Sequence, residues 1–146
     1  MIEMAPVADR HGAARGVVAE GAVGSRWARP LRLFRYEVHC WRDGVIPDIG
    51  EAVESPQRLT GDADRARRLL ALTAQVPAPV WGRDELGAGE MWNSNSVTAW
   101  LIARAGLLSD SLHVPQGGRA PGWRAGLAVA ARSQPGGISP AQLLPA

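Results

Sequence analysis

The feature that most constrains this chain is the run Trp92-Asn93-Ser94-Asn95-Ser96-Val97-Thr98-Ala99-Trp100-Leu101-Ile102-Ala103-Arg104-Ala105-Gly106-Leu107. Four small polar residues open it. Each can accept an orphan N–H of a first helical turn through its side-chain oxygen. An almost wholly apolar segment follows, broken only by Thr98 and Arg104, so the helix needs cover on most of its sides. Gly106 falls where a left-handed C-terminal cap is expected. At 146 residues the chain has room for one domain with a real core around such a helix. Asn93, Asn95 and Ser96, with Trp92 at the mouth, form a candidate ligand site. Their donors and hydroxyls stand at the positive end of a helix dipole, which suits an anionic small molecule or an acyl or amide group. The plainer reading of the same residues is a helix cap.

Upstream, Leu31–Trp41 alternates as a strand. Phe34, Tyr36, Val38 and Cys40 share one face; Arg35, Glu37, His39 and Trp41 share the other. Asp43-Gly44 then predicts a tight hairpin with Val45-Ile46 as a return strand that Pro47 keeps short. Gln57–Thr60 reads as a further short strand. Asp62–Gln75 reads as a helix with Ala66, Leu69, Leu70 and Thr73 on its apolar stripe, ended by Pro77 and Pro79. Residues 76–91 form a long connection whose acids Asp84, Glu85 and Glu90 read as a solvated loop. Trp123–Ala131 reads as a last strand. Residues 1–26 lack aromatics and a sustained period and read as a disordered lead-in; 134–146 read as a flexible tail. The expected architecture is a single α+β domain over 27–133, a small antiparallel sheet with two main helices. Its expected core is Leu33, Phe34, Val38, Leu69, Leu70, Val97, Trp100, Leu101 and Val129.

Charge and cysteine usage narrow the function classes. The net charge is only +2, and the one tight arginine cluster, Arg65, Arg67 and Arg68, lies on a predicted helix, so no nucleic-acid partner is expected. Cys40 is the single cysteine, which excludes an intramolecular disulfide and a cysteine-based zinc site. His11 and His113 have no ligand partner at useful spacing, so no metal or cofactor is expected. No apolar run approaches the roughly 20 residues of a membrane span. The first residues lack a secretory pattern, and a cytoplasmic location is expected.

Asn93-Ser94-Asn95-Ser96, an apolar residue, Trp100 and a helix ending in Gly106-Leu107 resemble an uncharacterised bacterial family. That family carries Gly-Pro-Asn-Ser-Asn-Thr-Phe, then Trp, after an Arg-Tyr-Glu-Val strand matched by Arg35-Tyr36-Glu37-Val38. Here the Gly-Pro before Asn93 is lacking, with Glu90-Met91-Trp92 in its place, and Val97 replaces Phe. More distantly, the segment resembles the circularly permuted papain-like group, including lecithin retinol acyltransferase relatives. These place Asn-Cys at the start of a buried helix and a histidine on an upstream strand. The resemblance puts Ser94 in the nucleophile position and His39 in that of the base, implying a hydrolase or acyltransferase. Serine gains little from a helix terminus alone and needs a positioned base. Two functions are therefore carried forward: a non-catalytic domain that binds a ligand at Asn93–Ser96 or uses these residues structurally, and a Ser94 hydrolase or acyltransferase.

Overall fold

The computed structural model describes residues 1–7, 16–46, 49–51, 56–109, 112, 114 and 117–132. Three strands, β1 (Ile2–Pro6), β2 (Val17–Ala22) and β3 (Arg35–Cys40), form one antiparallel sheet in the order β1-β3-β2. Three helices follow: α1 (Ala63–Leu72), α2 (Ser94–Arg104) and α3 (Trp123–Arg132). The fold is α+β, as the sequence suggests. Residues 133–146, and with them the expected tail, lie outside the described residues.

β3 is the centre of the sheet. Its register places Met4 and Ala19 opposite Val38, and Pro6 and Gly21 opposite Tyr36. Directly opposed residues share a face. This face, with fully buried Tyr36 and Val38, joins Val97, Trp100 and Leu101 of α2 and Val129 of α3 in the main core. Glu37 and His39 point the other way, as their alternation predicts, yet both are buried as well. On this second face His39 lies against Glu37 and Trp41, while Glu20, opposite Glu37 on β2, is exposed.

Several expectations are corrected. The described part of the expected disordered lead-in is ordered, because β1 and β2 lie within it and supply both neighbours of β3. Asp43 does adopt a left-handed turn conformation (φ 55°), but Val45-Ile46 do not return along β3. Both edges of β3 are already occupied. Gln57–Thr60 is not a strand. Trp123–Arg132 is a helix, and its buried residues Ala125, Gly126, Val129 and Ala130 recur at helical spacing. Leu33, Phe34 and Leu70, expected in the core, are exposed.

The α1 prediction succeeds at its start. Asp62 Oδ1 accepts the N–H groups of Asp64 and Arg65 at 2.7 and 3.3 Å. The helix lies at the periphery, with Leu72 its one buried residue. α2 ends in the expected left-handed cap at Gly106 (φ 71°). The Leu107 N–H donates to Ile102 O and the Gly106 N–H to Ala103 O, the paired bonds of a Schellman ending.

Candidate functional site at the start of α2

Asn93 caps α2, and its Oδ1 accepts the Ser96 N–H at 3.3 Å. Ser96 Oγ in return accepts the Asn93 N–H at 3.0 Å, closing a capping box. The remaining polarity of the cluster goes to the turn that leads into α3. The Ser96 hydroxyl donates to Gly122 O at 2.7 Å in a buried setting. The amides of Asn93 and Asn95 both donate to Pro121 O, at 2.8 and 3.0 Å. Gly122 has φ +88°, and a Cβ there would collide with the Asn93 side chain. Four residues later, a Cβ at Gly126 would strike the carbonyl of Ser96. The start of α2 is thus fastened to the start of α3 by hydrogen bonds and by backbone proximity that only glycine permits.

Ser94 is exposed in the first turn, where its carbonyl accepts the Thr98 hydroxyl at 3.1 Å. His39 is completely buried, with Nε2 2.9 Å from Glu37 Oε2 and its ring edge-on to Trp41. It leaves β3 on the face opposite the one that packs against α2, so the structure does not bring Ser94 and His39 together. Trp92 is not at a pocket mouth. It is 1% exposed, and its backbone exchanges bonds with Gly82 and Arg83. Its indole N–H approaches the Tyr36 hydroxyl without reaching hydrogen-bonding geometry. Cys40 is a half-buried free thiol, and His11 and His113 lie outside the described residues. Among the described residues no group of histidine, cysteine and carboxylate side chains could hold a metal ion.

The acids read as a solvated loop have specific partners. Glu90 Oε2 accepts the Arg124 N–H at 2.9 Å and so caps α3 from a distance. Asp84 takes the N–H groups of Ala88 and Gly89 at 2.8 and 2.9 Å, folding the connection on itself. Glu85 binds Arg26 through both oxygens, at 2.7 and 3.0 Å, and accepts the Val80 N–H. The Arg26 guanidinium, then the Val80 N–H, hold its carboxyl below the ordinary range. A concavity of about 460 Å³ lies beside this pair, lined by Trp27, Val80 and Arg83 among others. Arg83 donates from Nε to Gly24 O at 2.7 Å. Periodicity does not reveal these contacts: Arg26–Glu85, Arg83–Gly24 and Glu90–Arg124 join residues far apart along the chain, and the Asp84 and Val80–Glu85 bonds belong to an irregular loop.

Comparison with protein-family models, with curated proteins and with solved structures returns no match to this chain.

Proposed function

We propose that this chain is a non-catalytic domain in which Asn93–Ser96 is a structural clasp between α2 and α3. One observation carries the reading: the buried Ser96 hydroxyl and the amides of Asn93 and Asn95 are all spent on the carbonyls of Pro121 and Gly122. A ligand at this helix start would have to break three internal hydrogen bonds before making its own. The alternative, a hydrolase or acyltransferase using Ser94, draws on that residue's exposure in the first turn of α2. It lacks a base, since a serine hydroxyl needs one within hydrogen-bond reach and His39 faces elsewhere.

Paired substitutions separate the two. Ser96→Ala removes the donor to a buried carbonyl and half of the capping box, and should cost about 1–3 kcal/mol. Ser94→Ala, at an exposed position, should stay within about 0.5 kcal/mol of the parent. Urea midpoints measure both. A fluorophosphonate probe should leave the parent unlabelled. Labelling that disappears in Ser94→Ala would overturn the clasp reading in favour of acyl-transfer chemistry.

A further inference from the structure

The connection between β2 and β3 carries the most exposed large apolar side chain among the described residues, Trp27. Within the eight residues from Trp27 to Phe34, four large apolar side chains face solvent: Trp27 is 93% exposed, Leu31 59%, Leu33 65% and Phe34 40%. Large apolar side chains held clear of the core in one short segment mark an interaction surface.

The segment is not a slack loop. Two 3-10 turns, Arg26–Ala28 and Arg32–Phe34, shape it. The N–H groups of Ala28, Leu31 and Phe34 donate to Ser25, Ala28 and Leu31, at 3.1, 2.9 and 2.9 Å. Val23 N–H donates to Phe34 O at 2.8 Å and ties its two ends together. Its charge is one-sided. Arg26 and Arg35 are paired with Glu85 and Glu20, whereas no carboxylate among the described residues pairs with Arg29 or Arg32. Exposed apolar tips interleaved with two unpaired guanidinium groups call for a partner that is both apolar and anionic.

We propose that this connection docks the protein on the surface of an anionic lipid bilayer. Trp27, Leu31, Leu33 and Phe34 enter the interfacial region, and Arg29 and Arg32 bind lipid phosphates. The internal bonding matters here, because N–H groups already satisfied within the turns add little desolvation cost on entering that region. The same bonding leaves those N–H groups unavailable to an extended peptide adding a strand. A polynucleotide would leave Leu31 and Leu33 in water, because aliphatic side chains offer bases no stacking platform. A second copy meeting this surface face to face would set Arg29 and Arg32 against their own kind. The inference concerns peripheral attachment, and no described helix is long and apolar enough to cross a membrane. It stands independently of the clasp reading.

Trp27 supplies its own reporter, since the other five tryptophans are buried or half-buried. The full chain should bind vesicles of phosphatidylcholine with 30% phosphatidylglycerol in sedimentation assays. Its emission should shift to the blue, and Trp27→Ala should lose most of that shift. Replacing Arg29 and Arg32 by Gln together should weaken binding roughly 30-fold, about five-fold for each arginine. Leu33→Ser should weaken it further, and 0.5 M salt should weaken the parent. All variants should keep the parental melting transition, because the replaced side chains are exposed. Absence of binding to these vesicles would overturn the proposal, as would binding that survives the arginine and Trp27 substitutions. Binding of a single-stranded oligonucleotide in place of vesicles, lost in the same variants, would reassign the surface to nucleic acid.

Discussion

Tyr36, the chain's single tyrosine, is placed by three unlike neighbours. Its ring covers Gly21 on the adjacent strand, where a Cβ would collide with it. It meets Trp81 edge to face, with centroids 5.7 Å apart, and its hydroxyl donates to Pro79 O at 2.8 Å. Burial, above all else, raises the phenol well beyond its ordinary 10.0. The unfolded chain therefore loses this proton first, and above about pH 10 it binds fewer protons than the folded state. Stability contributed here is complete below that pH and declines as pH rises, by at most about 1.4 kcal/mol per pH unit. Tyr36→Phe should start about 1 kcal/mol less stable at pH 8, since Pro79 O loses its donor. It should then decline less than the parent between pH 9.5 and 11.5 in urea melts. The absence of lysine from the chain keeps that window clear of the commonest alkaline titration. At this scale the sequence was partly legible. The alternation of β3 correctly separated Tyr36 and Val38 from Glu37 and His39. Which of the four polar residues at Asn93–Ser96 would be buried was not legible. That depends on where Pro121-Gly122 arrives, some 26–28 residues downstream.

The helices differ in how openly the sequence announces them. α2 carries its own start, stop and apolar body, so local chemistry defines it. α3 does not, because Trp-Arg-Ala-Gly-Leu-Ala-Val-Ala-Ala-Arg satisfies an alternating pattern and a helical one equally. What decides is tertiary. Ala125 with Val129, and Gly126 with Ala130, make a narrow stripe of small residues that lets α3 lie close on α2. Gly126→Ala tests that closeness, because two effects oppose each other. Alanine favours the helix by about 1 kcal/mol. Its methyl, however, meets the Ser96 carbonyl and lies 2.8 Å from Ala99 Cβ, and relieving that overlap costs about 1–3 kcal/mol. A net loss of stability is expected in denaturant melts. A gain approaching 1 kcal/mol would show that the helices have room to spare.

For the whole molecule, the sheet depends on residues that look least like structure. β1 and β2 contain Pro6 and Gly21, both poor strand formers, and their short segments show weak alternation. Gly21 is nevertheless required, since its missing side chain makes the space for Tyr36. Propensity reads a residue alone, and here the reason for the residue lies on the next strand. Deleting residues 1–22 should remove both partners of β3 and abolish the cooperative thermal transition. A truncated chain that still melted cooperatively near the parental midpoint would show that the helices form a core without the sheet.

The strand order β1-β3-β2 also fixes a sequence of events in time. β1 and β2 leave the ribosome before β3 and are not neighbours, so neither has its native partner when it emerges. β2 and β3 are joined by a short connection and can close first at modest entropic cost. β1 must reach β3 across more than thirty residues, from Met4 to Val38. Of the three strands, the one synthesised before the others is therefore expected to enter the sheet last. Until it does, one edge of β3 stands open to pairing with another chain.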